Sequence, residues 1–253
     1  LMINTDWKKV NLKYSYDNPV IISSDCSYNG NQPVTVSIKN VNKNFFYIRL
    51  KECNYQDGSH VFENINCIIA EKGVWKIKNN YHIEFGTTGL SGNKFKKIPI
   101  KNHKNLPTIF TQSQTDNGIQ WFTTRVKNIN KNSFQVRIQE EESLQYTGHT
   151  PEKIGWMSIT SGKLSFSNIN LESYSISKNI NHNVKTIKYN QPFIYQPLLF
   201  TKLSSFNGKD TCNTRIIDSN NKSFKIKVQE DQSKDKEMSH INENFNYFSI
   251  LIL

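Results

Sequence analysis

The chain has 253 residues, a formal net charge of +11 and a sequence pI of about 9.4. No apolar run approaches the ~20 residues of a membrane helix, and no stretch has a signal-peptide pattern, so we expect no membrane span. Asparagine and lysine are abundant and alanine occurs once, at Ala70, as an AT-rich coding sequence would produce. Since no stacking aromatics or RNA-binding signature accompany the lysines, we expect no nucleic-acid partner.

Four landmarks recur three times along the chain. In chain order they are a proline, an Asn-Gly pair, a strand-leading phenylalanine and a His-x-x-Glu element. The phenylalanines Phe46, Phe134 and Phe224 are 88 and 90 residues apart, and the other landmarks keep nearly the same spacing. A period near 90 suits a small whole domain, so the sequence predicts three tandem domains at 1–78, 79–165 and 166–253.

Each repeat contains short segments with the alternation that is typical of half-buried strands. The second repeat shows them as a basic strand, a proline-led strand, an Arg-bearing strand, a Phe-led strand and a closing strand, at 95–102, 107–114, 123–129, 134–139 and 155–159. A further leading strand is expected at 82–86 and at 171–175. No helical periodicity appears, so we predict an all-β fold of three small antiparallel β-sandwiches, packed with pseudo-threefold symmetry.

The order of these signals resembles the H-type lectin domain. The resemblance covers the whole chain, once per repeat, and consists of W-x-x-V, a proline-led strand, an Arg-bearing strand, an asparagine turn, a Phe-led strand and a closing W-x-x-I. It implies six-stranded sandwiches that associate in threes and bind N-acetylgalactosamine-type sugars between neighbours. The best match is the second repeat, which closes on Trp156.

The resemblance also indicates candidate ligand-binding residues. The family's sugar-contacting arginine matches Arg125 and Arg215, whereas the first repeat has Ser37. The positions of the family's Trp-His pair hold Glu141, Glu142 and Asp231, among others. Carboxylates accept hydrogen bonds from sugar hydroxyls, but the stacking aromatic is absent. An alternative therefore stays open, in which the acids lie at a strand end and pair with Arg125 or Lys127 across the hairpin.

The His-x-x-Glu element favours a structural interpretation. Imidazole and carboxylate suit zinc or manganese, but two ligands on one loop are too few without a third. We expect instead that Glu152 accepts backbone N–H groups while His149 packs against the hairpin. Cys53 and Cys67 could form a disulfide or remain free thiols. We expect no metal site and no cofactor.

The sequence shows no catalytic pattern. It has no nucleophile elbow, no phosphate-binding glycine loop and no H-E-x-x-H motif, so we expect no enzymatic activity. The predicted function is recognition of glycans or glycoproteins by an extracellular or cell-surface lectin, with a role in cell adhesion. The alternative is a structural or adaptor subunit of a larger protein assembly, intracellular or not, that keeps the fold without the sugar site.

Overall fold

The computed structural model describes residues 1–78, 81–144 and 148–253, which contain 21 strands and no helix. The first seven strands are β1 (Met2–Ile3), β2 (Lys8–Asn11), β3 (Pro19–Ser23), β4 (Val34–Lys39), β5 (Phe45–Glu52), β6 (Glu63–Asn64) and β7 (Cys67–Glu71). The next seven are β8 (Gly73–Lys78), β9 (Tyr81–Leu90), β10 (Lys96–Pro99), β11 (Pro107–Ser113), β12 (Phe122–Asn130), β13 (Ser133–Glu140) and β14 (Glu152–Thr160). The last seven are β15 (Gly162–Phe166), β16 (Ile169–Ile180), β17 (Lys185–Lys188), β18 (Leu198–Leu203), β19 (Cys212–Ser219), β20 (Ser223–Glu230) and β21 (Glu243–Ile252). The all-β prediction is confirmed.

Each repeat packs two antiparallel sheets against each other. The three-stranded sheets have the orders β2-β5-β4, β10-β13-β12 and β17-β20-β19. The facing sheets are β3-β7, β11-β14-β9-β8 and β18-β21-β16-β15, so the first repeat has two strands where the others have four. A separate apolar cluster lies in each repeat. This is the layered arrangement that the alternating strands predict.

Two strands lie on the far side of the predicted domain boundaries. β8 falls within 1–78 but pairs with β9 in the second repeat's sheet, and all of β15 except Phe166 falls within 79–165 although the strand pairs with β16 in the third. The chain passes from β7 into β8 at Gly73, and from β14 into β15 at Gly162. Both glycines have positive φ angles, 149° and 140°, which favour glycine. Each closing strand therefore continues directly into the next repeat's sheet.

The central hairpin of the second repeat follows the predicted register. Phe134, Val136 and Ile138 point into the core and are at most 1% exposed. The ring of Phe134 meets that of Trp156 edge to face, with centroids 5.7 Å apart, which confirms that this tryptophan is a core residue. In the connecting turn, the Asn130 side chain accepts the N–H groups of Asn132 and Ser133. Asparagine thus closes the hairpin with its own side chain.

The three proline-led strands meet at the centre of the molecule. One apolar cluster draws buried side chains from all three repeats, including Ile22, Phe110 and Phe200. Beside it, the Ser23 hydroxyl donates to Gln112, and the side chain of Gln114 forms two hydrogen bonds with the backbone of Ile21. The repeats therefore share a core around a common axis.

Candidate functional site

A buried Glu–His–Glu chain occurs in every repeat. The three chains are Glu52–His60–Glu63, Glu140–His149–Glu152 and Glu230–His240–Glu243. In the second, Nδ1 of His149 lies 3.2 Å from Glu140 and Nε2 lies 3.3 Å from Glu152. The first glutamate ends the Phe-led strand, and the second starts β14 or β21, or in the first repeat the short strand β6 that precedes β7. The histidine therefore links two strands of opposite sheets.

The second glutamate of each chain also closes the loop of the Asn-Gly pair. Glu152 accepts the backbone N–H groups of Asn117 and Gly118 at 2.7 and 3.1 Å. A Cβ on Gly118 would lie 2.8 Å from the His149 ring, so glycine is needed for space. Glu63 and Glu243 repeat these contacts with their own Asn-Gly pairs. The structural interpretation of His-x-x-Glu is thereby confirmed.

The two candidate arginines lie between repeats. Arg125 of the second repeat donates to Glu243 of the third at 2.7 Å, and Arg215 of the third donates to Glu63 of the first at 2.7 Å. Both arginines are 0% exposed. The neighbouring repeat covers the polar face of the strand that carries Arg125, so the guanidinium does not meet solvent. Arg215 also donates hydrogen bonds to three main-chain carbonyls of the first repeat, those of Ser27, Gly30 and Gln32.

At the contact between the first and second repeats, the charged groups stand at different positions from those of the other two contacts. Ser37 stands where Arg125 and Arg215 stand, opposite Arg49 on the hairpin. Lys51 instead donates to Asp116 at 2.6 Å and to the Gly118 carbonyl at 2.9 Å, and Arg49 donates to Asp116 at 3.0 Å. The three repeats thus form a closed ring in which each hairpin contacts the next repeat's loop. This arrangement fits the pseudo-threefold packing expected from the sequence.

Two aromatic residues that the sequence reasoning missed belong to this ring. The Phe206 ring lies 4.9 Å from the Arg125 guanidinium, and the Tyr28 ring lies 5.0 Å from that of Arg215. Each precedes its Asn-Gly pair, where the second repeat has Asp116. An aromatic ring over a desolvated guanidinium is favourable by about 1–2 kcal/mol. The recurrence of an aromatic residue at this position was the signal available in the sequence.

The three candidate acids meet at one end of the ring, where all are buried. Glu141 accepts the N–H of Asn54 from the first repeat at 2.6 Å, and Glu142 accepts that of Thr211 from the third at 3.1 Å. Asp231 accepts the N–H of Glu142 at 2.6 Å. Within the part of the chain that the structure describes, neither Arg125 nor Lys127 forms a hydrogen bond or a salt bridge with these acids. The acids therefore bind main chain of neighbouring repeats, which neither interpretation of the sequence foresaw.

Burial changes the acidity of this cluster. Desolvation, reinforced by the nearby Asp231 and Asp210, raises the pKa of Glu142 to about 7. Desolvation also raises the pKa of Glu141 and of Asp231. The opposite holds at Glu243, where burial alone would raise the pKa but hydrogen bonding from His240 and the charge of Arg125 hold it at about 2. The ring thus contains ionised acids beside arginine and protonatable acids at its end.

One group in the described residues has the spacing of a metal site. Ligand atoms of Asp210, Glu230 and His240 lie within 4.8 Å of one another. Desolvation opposes charge on His240, but contacts with Cys212, Glu230 and Glu243 raise its pKa to about 11. Both ring nitrogens of His240 contact carboxylates of the same repeat, Nδ1 that of Glu230 and Nε2 that of Glu243.

All four cysteines are free thiols. This decides between the two possibilities that the sequence left open for Cys53 and Cys67. Burial raises the pKa of Cys67 to about 12 and that of Cys26 to about 11. Thiols in such surroundings are poor nucleophiles, so neither Cys26 nor Cys67 has the environment of a reactive group.

A surface cleft lies where the second and third repeats meet. It has a volume of about 400 Å³. Polar side chains and one aromatic ring line most of it: Lys127, Asn128, Ser177, Phe206, Asn207 and Asn244. Asn128 has a φ of 50°, a left-handed conformation that asparagine tolerates, and its side chain donates to Gln135. Amide and hydroxyl groups beside a ring edge are the lining that a polar organic ligand requires.

The comparison with known proteins gives one relative. The chain is 24% identical over 256 residues to Halomucin of Haloquadratum walsbyi (strain DSM 16790 / HBSQ001). The match covers 97% of this chain and therefore all three repeats, but the chain spans only 3% of that protein's length. No protein-family model and no solved structure matches. No helix among the described residues is long and apolar enough to cross a membrane.

Proposed function

We propose that the chain is a non-catalytic structural module of a surface protein, in which three lectin-like repeats form one rigid ring. The similarity to Halomucin supports the location, because a mucin name is compatible with a surface protein. The burial of the family's sugar-contacting position supports the structural role. Arg125 and Arg215 are fully buried and ion-paired to Glu243 and Glu63, so both terminal nitrogens of each guanidinium are occupied within the ring.

The ring suits an adaptor or spacer. Every repeat contacts both others through buried charge pairs or hydrogen bonds, so the three units cannot reorient without breaking such contacts. Removing one partner of a buried ion pair costs about 3–5 kcal/mol, which is of the order of a domain's net stability. The module therefore holds its three repeats in a fixed geometry. An adaptor or spacer in a larger assembly requires such a fixed geometry.

A glycan array with the wild-type chain and the Arg125→Met variant tests the proposal. We expect neither protein to bind any glycan and the variant to have a lower Tm. Binding by the wild type that disappears in a variant still folded at the assay temperature would overturn the structural role. It would show that glycan binding depends on Arg125, either directly or through Phe206 above it.

The cleft between the second and third repeats supports glycan recognition as a second candidate. Its amide, hydroxyl and ammonium groups can bond sugar hydroxyls, and Phe206 offers an apolar ring. In this candidate the sugar contacts are the cleft residues, while Arg125 supports Phe206 from below. The ligand would be a mono- or disaccharide, which a volume of about 400 Å³ accommodates.

Blocking the cleft tests this candidate separately. Ser177 is exposed and lines the cleft, so Ser177→Trp fills it without disturbing a core. Ser165→Trp is the matched control, because Ser165 is equally exposed on β15 and outside the cleft. Array binding that is lost only in Ser177→Trp supports the candidate. Binding that survives in both variants, or is absent from the wild type, contradicts it.

A further inference from the structure

A second cleft lies within the second repeat, between the strands β8 and β9 and the loop that joins β10 to β11. It has a volume of about 490 Å³. We call it the lysine cleft, because four lysines and one histidine line it: Lys76, Lys78, His82, Lys101 and Lys104. The four lysines are exposed, and no acidic side chain is among the described residues that line the cleft. The cleft is therefore a concave surface of positive charge.

The lysines of this cleft form no salt bridge within the described chain. The lysines that do so are Lys43, Lys51 and Lys202, and none of these lines the cleft. Glu84 borders the loop side, where its carboxylate accepts the backbone N–H of Lys101 at 2.6 Å. Since this carboxylate bonds main chain, the ammonium groups keep their capacity to bind an anion.

His82 is a buried base in the wall of the lysine cleft. The residue is 7% exposed, and its Nε2 is buried without a hydrogen-bond partner. Its backbone N–H and C=O both bond the Thr160 hydroxyl, at 3.3 and 3.2 Å, so the residue is held in place by its main chain. A buried polar nitrogen that makes no hydrogen bond costs about 1–3 kcal/mol. Its retention in the wall of a basic cleft indicates that the ring takes part in binding.

The neighbouring histidine supports the His82 ring. His103 stacks on His82 with ring centroids 3.9 Å apart and an interplanar angle of 19°. Nδ1 and Nε2 of His103 bond the hydroxyls of Thr160 and Ser158 at 2.8 and 2.9 Å. Burial, together with the adjacent His82 ring, lowers the pKa of His103 to about 3, so His103 stays neutral. His82 is therefore the imidazole of this pair that can take up a proton and donate to an anion.

The third repeat shows that the fold does not require these basic groups. Asn170 takes the place of His82, since each lies two residues before the glutamate that pairs with a serine of the closing strand. Phe193 takes the place of His103, since the N–H of each bonds a carbonyl of the hairpin turn. The equivalent cleft there measures about 120 Å³, and its lining includes Pro192, Phe193 and Ile194 with one lysine, Lys163. The basic lining is therefore specific to the second repeat, as a binding site in one repeat would be.

We propose that the lysine cleft binds a small organic molecule through a phosphate or sulfate group held by His82, Lys76 and Lys101. Ammonium groups and a protonated imidazole form charge-assisted hydrogen bonds with such oxyanions. Val74 and Ile77 line the same cleft and contact the organic part. The volume of about 490 Å³ is in the usual range for small-molecule sites and exceeds what the anionic group alone fills. The site is separate from the cleft between the second and third repeats and from the structural role of the ring.

Calorimetric titration of the full chain with glucose phosphate, glucose sulfate and glucose tests the proposal. We expect one or both esters to bind and glucose not to bind. Lys101→Gln should weaken ester binding about tenfold, because it removes one charge-assisted contact and leaves the backbone bond to Glu84 in place. Lys97→Gln is the matched control, since Lys97 is exposed in the same repeat and lies outside the cleft. The ester that binds more tightly identifies the anion.

The His82 ring provides a second readout. NMR of the imidazole across pH, with and without saturating ester, should give a higher pKa for His82 when the ester is bound, because an anion favours the protonated ring. His103 is the internal reference and should stay neutral in both titrations. The charged groups that border the cleft are the same in both: Lys76, Lys78, Glu84, Lys101 and Lys104.

Three results would overturn the proposal. The first is the absence of heat and of any change in the His82 titration with both esters at millimolar concentration. The second is an unchanged His82 pKa at ester concentrations that do give heat, which would exclude His82 from the site. The third is equal weakening by Lys97→Gln, which would show that net charge and not the cleft attracts the anion. The NMR titration uses the wild-type chain, so misfolding of a variant cannot hide the outcome.

Discussion

The Arg125 guanidinium donates to the Glu243 carboxylate at 2.7 Å although 118 residues separate the two in sequence. Both side chains are fully buried, and Glu243 is also bonded by His240 and by the backbone of Asn207 and Gly208. One carboxylate therefore joins the hairpin of the second repeat to the loop, histidine and closing strand of the third. The same set recurs around Glu63.

Arg125→Ala is expected to lower the free energy of unfolding by about 3–5 kcal/mol. The substitution leaves the Glu243 carboxylate buried without its counter-charge, which costs more than the pair itself contributes. Chemical denaturation with intrinsic fluorescence measures the loss. The control is Lys131→Ala, an exposed change in the hairpin turn of the same repeat. A loss below about 1 kcal/mol would mean that the arginine is not held in this pair.

Lys51→Gln should cost about 2 kcal/mol, because it removes one of the two cations that bond Asp116 and leaves only Arg49. Adding Ser37→Arg should recover more than half of the loss. The double variant gives the first interface the Arg-plus-Gln pattern of Arg125 with Gln139. Thermal and urea unfolding of the four proteins complete a double-mutant cycle. If the stability changes of the two substitutions simply add, the arginine at position 37 does not reach Glu152, which is the second repeat's counterpart of Glu243.

Phe134→Ala should destabilise the chain by about 3–5 kcal/mol. The ring is 0% exposed and packs on Trp156, so truncation leaves a cavity in a small core. Phe62→Ala serves as the control, since Phe62 is 53% exposed. Equal midpoints in urea for the two variants would contradict the assigned inward face of β13.

Glu142→Gln should stabilise the protein above neutral pH. The pKa of Glu142 rises from 4.5 to about 7 on folding, so the folded state retains a proton that the unfolded chain releases. This contribution to stability is complete below pH 4.5 and is lost as pH rises through 7. Glutamine keeps the acceptor for Thr211 without the charge, and we expect a gain of about 2 kcal/mol at pH 8.

The measurement is the pH dependence of urea unfolding between pH 4 and 9. The variant's curve should decline less between pH 5 and 7 than that of the wild type, and the two should converge below pH 4.5. Glu141 and Asp231 titrate in the same direction, so a residual slope remains in the variant. Parallel curves across the whole range would contradict the assigned proton affinity.

Local patterns predicted most of the fold. Phe134, Val136 and Ile138 alternate with polar residues, so their inward face was readable, and β3 and β11 begin at their prolines. β8 and β15 were missed. Their hydrogen-bonding partners lie in the next repeat, and strand pairing across a boundary leaves no trace in the alternation of either strand. The predicted boundaries therefore fell at the end of β8 and within β15, just before Phe166, and not at Gly73 and Gly162.

The candidate site was predicted less well, because its chemistry depends on contacts between repeats. The resemblance indicated Arg125, Arg215, Glu141, Glu142 and Asp231 as ligand-binding residues. Whether a polar side chain meets solvent or another repeat is decided by tertiary packing. His149 and Glu152 were assigned correctly because their contacts lie within one repeat. Sugar binding by the five residues stays a prediction.

The order of synthesis sets a constraint on how the ring is completed. Glu63 leaves the ribosome 152 residues before Arg215, its partner, and at roughly 5–20 residues per second this delay is on the order of ten seconds. β8 likewise emerges before β9 and β14 exist to receive it. Until Arg215 is made, the first repeat holds Glu63 without its arginine, and β8 has no sheet to join. Closure of the ring therefore waits for the third repeat and is a late step of folding.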